Sequence, residues 1–165
     1  MIHDLTKIMN QISTMSFFDI IGFFGPAILF CISVLKLYKR QPYLVGYLLF
    51  SAGNIIINSI LKTVIKQERP HSISNEHYIG MQKYGMPSAH AQSVFYSMTY
   101  LYLTNGDFEI LLVEMFIGVL TLYQRWKYSQ HTVEQLGVGV IVGVIIAFFA
   151  EFMTKQYIVT RTMNL

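Results

Sequence analysis

The 165 residues are 53% hydrophobic and only 13% charged, with a net charge of +3 and a mean hydropathy of +0.45. A soluble domain carries about 25% charged residues, so a chain this apolar cannot be wetted on every side and reads as a polytopic membrane protein. Its basic residues form no stripe of the kind that binds nucleic acid, and a single cysteine, Cys31, excludes an internal disulfide.

Residues 1–16 set Ile2, Leu5, Ile8, Met9 and Ile12 among polar neighbours at helical spacing, as an interfacial amphipathic helix would. A partly ordered tail fits the same pattern. No short apolar stretch there ends in a small-residue cleavage site, so no cleaved leader is expected. Five apolar runs follow, at residues 17–35, 43–65, 89–104, 108–123 and 133–153. A spanning helix needs about 20 residues, so the third and fourth are short and are expected to extend into the interface. The predicted fold is all-α: one membrane-embedded domain over residues 1–165, a helical bundle of about five transmembrane spans. The turns at 36–42 and 105–107 are tight and make successive spans antiparallel; only 71–86 is a long polar loop. Asp19 falls at the edge of the first span, where it is expected to reach water. Pro26 is placed to kink that span, and Pro42 suits the first turn of the second.

Polar residues recur at helical spacing inside the spans. Ser51, Asn54, Asn58 and Lys62 make one stripe, and His90, Ser93 and Ser97 another. For the asparagines and serines the expected role is ordinary interhelical hydrogen bonding. Lys62 and His90 differ, because each places an ionisable group near one membrane face. Gly139 and Gly143 form a small-xxx-small pair suited to close helix packing. Glu114, inside the fourth span, has no partner that the sequence identifies.

Antiparallel alternation puts Lys62 and Arg69, after the second span, on the same side as His90, which opens the third. Arg125 closes the fourth span and His131 opens the fifth, again on that side. Three fixed cations beside two imidazoles suit a phosphate: Arg presents a planar fork and Lys a movable point charge. Pro87-Ser88-Ala89-His90 begins a helix, whose free N–H groups and positive end favour an anion, and Ser88 adds a hydroxyl. Gln135 lies one turn beyond His131 and can fix its tautomer, which makes His131 a candidate nucleophile and His90 a candidate acid. A lone Lys or His near an interface is more often structural. The combined pattern, with Lys62, Arg69-Pro70, Pro87-Ser88, His90, Arg125 and His131 at these spacings, is specific.

Those residues resemble the three signatures of the type 2 phosphatidic acid phosphatase superfamily: Lys62…Arg69-Pro70, Pro87-Ser88-Ala89-His90 and Arg125…His131. Within it the pattern is most similar to the dolichyl diphosphatase branch, through Ile57-Asn58, Gly85-Met86-Pro87-Ser88-Ala89-His90-Ala91-Gln92 and His131-Thr132-x-x-Gln135. The resemblance runs from about Ile57 to Gly143. It implies a helical core shared with vanadium-dependent haloperoxidases and a metal-independent phosphatase that needs no cofactor. In that reading His131 forms a phosphohistidine, His90 is the general acid, and Lys62, Arg69, Ser88 and Arg125 cradle the phosphate. The implied substrate is a polyprenyl diphosphate of the dolichyl type, hydrolysed to the monophosphate. The alternatives are another lipid phosphate, such as phosphatidate, or a non-catalytic membrane protein that binds lipid phosphates.

Most of that superfamily has Asp where this chain has Gln135, a mark shared with the dolichyl branch; Glu134 beside it is a weaker substitute. Gln124 stands where Ser usually precedes Arg125. The resemblance also implies the endoplasmic reticulum membrane with a lumenal site. Counting basic residues away from the site agrees: Lys36, Lys39, Arg40, Lys155 and Arg161 lie on the opposite side, against Lys7, Lys66, Lys83 and Lys127 on the site side. Tyr78, Tyr84 and Met86 in the long loop are possible tail contacts, although a plain connecting loop is the simpler expectation.

Overall fold

Ser16 starts the first helix. Its hydroxyl accepts from the Asp19 N–H at 3.3 Å, and the Asp19 carboxylate accepts from the Ser16 N–H at 3.1 Å, a reciprocal cap that satisfies two donors with no partner inside the helix. The computed structural model describes residues 15–71 and 80–160; the expectations for the tail before residue 15 and for Tyr78 lie outside them, as do Lys7 and Arg161. Five helices follow in order: α1 (Phe17–Leu37), α2 (Gln41–Ile65), α3 (Ala89–Asn105), α4 (Phe108–Lys127) and α5 (Val133–Met153). A 3-10 turn, Gly80–Lys83, precedes α3, and a π-helical turn, Thr154–Val159, continues α5. The helix α1 runs without interruption through Pro26. The all-α expectation and the boundaries of the runs agree with this arrangement; α4 is longer than its apolar run because Gln124, Arg125 and Lys127 extend it as polar helix.

α1, α2 and α5 with its continuation to Tyr157 are each long and apolar enough to cross a membrane. α3 and α4 are less apolar, and packing explains why α3 can be. It lies at the centre of the bundle, against α5, α1, α4 and α2, and buries Gln92, Tyr96, Ser97 and Tyr100 together with its apolar residues. Lipid contact falls to the outer helices, where large apolar side chains such as Leu35, Val64 and Phe116 are more than half exposed. A helix enclosed by other helices can carry polar groups, provided each finds a partner.

They do. Tyr47, Tyr96 and Tyr100 pack ring against ring at centroid distances of 5.5–6.0 Å. Their hydroxyls turn to Ser97, the Tyr47 carbonyl and the Tyr43 carbonyl. Gln92 donates to the carbonyl and side-chain oxygens of Asn54 and accepts from Asn58, which also donates to the Pro87 carbonyl. The asparagine stripe is thus interhelical bonding, as expected. Ser51 instead donates back to the Tyr47 carbonyl of its own helix.

Glycines set the closest approaches. A methyl group at Gly143 would collide with the Gln92 carbonyl, and one at Gly139 would lie 2.7 Å from the Ser88 carbonyl, so the small-xxx-small pair seats α5 on α3. Gly22 and Gly25 do the same for α1 against Leu120 and Thr121 of α4, a contact the sequence reading did not single out. Glu114 is 1% exposed, and neither of its carboxylate oxygens has a partner among the described residues.

Asp19 departs from expectation. It is 2% exposed rather than open to water, because Lys127 donates to it at 2.6 Å and the Tyr128 hydroxyl at 3.1 Å. This ties the start of α1 to the end of α4.

Candidate active site

The site is assembled at the end of the bundle where α2 and α4 finish and α3 and α5 begin. Lys66 ends α2 with a left-handed φ of 53° and its N–H on the Lys62 carbonyl, which turns the chain sharply into Gln67–Pro70. That segment pairs with the approach to α3: Arg69 donates its N–H to Lys83, and Gly85 donates to Gln67, at 3.2 and 2.8 Å. A single antiparallel bridge between Glu68 and Tyr84 is the result, with a Lys83–Glu68 ion pair on its outer face. The chain then enters α3 through Ser88, whose hydroxyl accepts from the Ala91 N–H.

His131 sits in the turn between α4 and α5, 3% exposed. Its Nδ1 lies 3.2 Å from Gln135 Oε1, and its Nε2 lies 3.0 Å from an Arg69 guanidinium nitrogen. A guanidinium only donates and an amide oxygen only accepts. The ring is therefore protonated on Nδ1 and carries its lone pair on Nε2. Arg69 is placed by two carbonyls, accepting its Nε–H at Gln82 and its terminal N–H at Gln130, both 2.8 Å away.

Gln135 does more than orient the ring. Its amide nitrogen donates to the Glu68 carbonyl at 2.8 Å, and its own backbone carbonyl accepts from the Ser88 N–H at 3.0 Å. A side chain on Gly85 would strike the Gln135 amide. One residue thereby joins all three motifs. Glu134, weighed as a substitute, is exposed.

Arg125 is 7% exposed. Its Nε donates to Gln124 Oε1 at 2.6 Å, and its guanidinium carbon lies 5.0 Å from the centre of the Phe23 ring. The same ring stands 6.3 Å from that of His90. Gln124 thus acts as an orienting partner for Arg125. Lys62 is half-buried one helical turn before the end of α2, and its charge, with those of Arg69 and Arg125, reaches both histidines. Ser88 is fully buried at the start of α3.

Burial and these charges together set the protonation of His131. Burial first, then the charges of Arg69 and Lys62, hold its pKa down at about 2, against the opposing hydrogen bond to Gln135. The imidazole is neutral at physiological pH and offers an unprotonated nitrogen to whatever enters. Among the described residues, no three His, Cys, Asp and Glu side chains gather as a metal site would require. The cluster is cationic and suits an anion.

The sequence-derived residues Lys62, Arg69, Ser88, His90, Arg125, His131 and Gln135 all fall at this end of the bundle. Phe23, Gln130 and the Glu68 carbonyl were missed. A backbone carbonyl or a lone aromatic leaves no signature of its use in the sequence.

Residues 43–158 match the PAP2 superfamily. Dolichyldiphosphatase 1 of Mus musculus is 32% identical over 142 residues, which cover 76% of this chain and 58% of that protein. Dolichyldiphosphatase of Saccharomyces cerevisiae is 33% identical over 104 residues, covering 56% and 44%. Lipid phosphate phosphatase gamma of Arabidopsis thaliana is 27% identical over 121 residues, covering 67% and 53%. The chain spans less than two thirds of the length of each of these relatives. No solved structure matches it.

Proposed function

Because the chain belongs to the PAP2 superfamily, we propose that it is an integral membrane phosphatase that removes the terminal phosphate of a polyprenyl diphosphate, of the dolichyl type, through a phosphohistidine on His131. The observation that carries this is the state of His131: buried, neutral, protonated on Nδ1 by virtue of Gln135, with its Nε2 lone pair turned to the cations. The polyprenyl diphosphate is favoured over phosphatidate by the names of the mouse and yeast relatives.

In this mechanism the terminal phosphate enters among Lys62, Arg69, Arg125, Ser88 and the first N–H groups of α3. Arg69 transfers its hydrogen bond from His131 to a phosphate oxygen and so frees the attacking nitrogen. A bond forms between His131 Nε2 and phosphorus as the bridging P–O bond breaks, and His90, protonated once the bound phosphate offsets the cations beside it, gives that proton to the departing lipid monophosphate. Water then attacks phosphorus, His90 takes its proton, and the N–P bond breaks to release inorganic phosphate. The protein supplies position and fixed positive charge where oxygens gain negative charge, which is most of what phosphoryl transfer requires.

The site is proposed to face the lumen of the endoplasmic reticulum. Lys36, Lys39, Arg40 and Lys155 at the opposite end support that orientation, and labelling a cysteine introduced at Gln82 from either side tests it.

The deciding assay is phosphate release from dolichyl or undecaprenyl diphosphate by purified protein in detergent, without added metal. Vanadate should inhibit it, and His131→Ala should abolish both release and a trapped phosphoenzyme. Faster release from phosphatidate than from the diphosphates would move the substrate to a lipid monophosphate. Failure to turn over any lipid phosphate would leave only a binding protein.

A further inference from the structure

A run of contacts presses the start of α1 against the end of α4. Asp19 accepts hydrogen bonds from Lys127 and from the Tyr128 hydroxyl. A methyl group at Gly22 would strike the Leu120 carbonyl and lie 2.9 Å from Gln124 Cβ, and one at Gly25 would strike Thr121. Phe23 falls inside this stretch, next to Gly22 and one helical turn after Asp19, so it shares the Asp19 side of the helix. The register of α1 on α4 therefore settles where its ring goes.

The ring goes to the candidate active site. The guanidinium carbon of Arg125 lies 5.0 Å from its centre, inside the roughly 6 Å over which a ring face attracts a cation. The His90 imidazole stands 6.3 Å from it, at 50°. One half-buried side chain thus meets both a cation of the cluster and the candidate acid. Arg125 is itself buried, and a cation–π contact is strongest where water is excluded. The contact leaves the cation usable. A guanidinium stacks through its face and donates in its plane, so Arg125 can keep the ring while it turns an N–H to a phosphate oxygen. Gln124 holds one edge of the group at Nε, and Phe23 holds its face.

We infer that Phe23 is a positioning residue, whose ring keeps the Arg125 guanidinium in the orientation that receives a phosphate oxygen. The inference rests on the phosphatase reading for the molecule that carries the phosphate. Phe23 precedes residues 43–158, which match the family. The contribution therefore comes from a helix that holds none of the three motifs, and it acts through Arg125 rather than on the reacting atoms.

The test alters the charge on the ring face and nearly preserves its shape. Mono-, di- and trifluorinated phenylalanine at position 23 withdraw electrons from the face step by step and weaken its hold on a cation. Orthovanadate binding, measured by calorimetry on the purified chain in detergent, should weaken in that order. Phe23→Leu should weaken it about tenfold, the scale of a desolvated cation–π contact. If Phe23→Leu fails to fold, the fluorinated series decides alone. In an Arg125→Ala background the trend should vanish. Equal affinity along the series, or a trend that survives the loss of Arg125, would overturn the assignment and leave Phe23 as packing. Hydrolysis of undecaprenyl diphosphate in that case would keep the phosphatase reading. A graded affinity in a protein that hydrolyses no lipid phosphate would support Phe23 while ending the phosphatase reading.

Discussion

Gln135 holds the ring of His131 with one atom of its amide and the backbone of Glu68 with the other, at 3.2 and 2.8 Å. The second bond requires an N–H, so the neutral amide is built into the link between the Lys62–Pro70 segment and α5. A carboxylate at this position would face the Glu68 carbonyl oxygen with another oxygen. Gln135→Glu keeps the length of the side chain and the acceptor toward His131, and changes only that contact and the charge. We expect it to lower stability by about 1–3 kcal/mol, the cost of a buried polar group left unsatisfied. It should also raise the proton affinity of His131, because a carboxylate favours the imidazolium. Thermal unfolding in detergent and histidine-resolved NMR measure the two effects. Unchanged stability would show that the Glu68 bond contributes nothing.

The depressed pKa of His131 has a direction that can be tested. In the unfolded chain an ordinary histidine takes up its proton as the pH falls through about 6.5, while in the folded protein His131 stays neutral down to about 2. Between these values the unfolded state binds more protons. The stability associated with His131 is therefore full above pH 6.5 and is lost as the pH falls, by up to about 1.4 kcal/mol per pH unit. His131→Gln should flatten the decline in stability between pH 6.5 and 4.5 by one proton's worth. Labelled histidine in the wild type should report an Nδ1-protonated neutral ring at pH 5; an imidazolium there contradicts the arrangement.

In the proposed mechanism His90 supplies the proton for the leaving group. His90→Ala should then slow release from a lipid diphosphate by about 10²–10⁴-fold, the range for general acids. The loss should be much smaller for p-nitrophenyl phosphate, whose leaving group departs without a proton. An equal loss on both substrates would remove the acid role and leave His90 as a shaping residue beside Phe23.

Asp19 and Lys127 make an unequal pair. The Asp19 side chain is 3% exposed and that of Lys127 is 39% exposed, so breaking the pair from the two sides has different consequences. Asp19→Asn leaves a lysine that can turn to water. Among the described residues, Lys127→Met leaves a buried carboxylate supported by Ser16 and Tyr128 alone. The lysine replacement should be the more destabilising, by about 1–3 kcal/mol. Either change should reduce phosphate release through the end of α4 and the turn after it, which carry Arg125 and His131, with kcat falling more than KM rises. Equal melting temperatures for the two variants would refute the asymmetry.

Much of this protein is legible in its sequence. Apolar runs separated by short polar turns specify membrane helices and their antiparallel order, because lipid leaves the backbone few other ways to satisfy its hydrogen bonds. That order alone places Lys62, Arg69, His90, Arg125 and His131 on one face. The four-residue spacing of His131 and Gln135 points to their contact, since positions four apart share a helix face. Gly139 and Gly143 were legible for a similar reason, as small residues one turn apart let two backbones meet.

What the linear pattern could not supply were contacts between distant segments and contacts made by backbone atoms. A carboxylate at the edge of an apolar run looks like a group reaching for water. Asp19 is instead sealed in, because folding brings Lys127 and Tyr128 to it from more than a hundred residues away. The Glu68–Tyr84 bridge, the Gln130 carbonyl that steadies Arg69 and the Phe23 ring beside Arg125 arise in the same way. Helical periodicity states which face of a helix is polar. Which neighbour meets that face depends on side-chain volumes from several helices at once, and only the packed bundle resolves it.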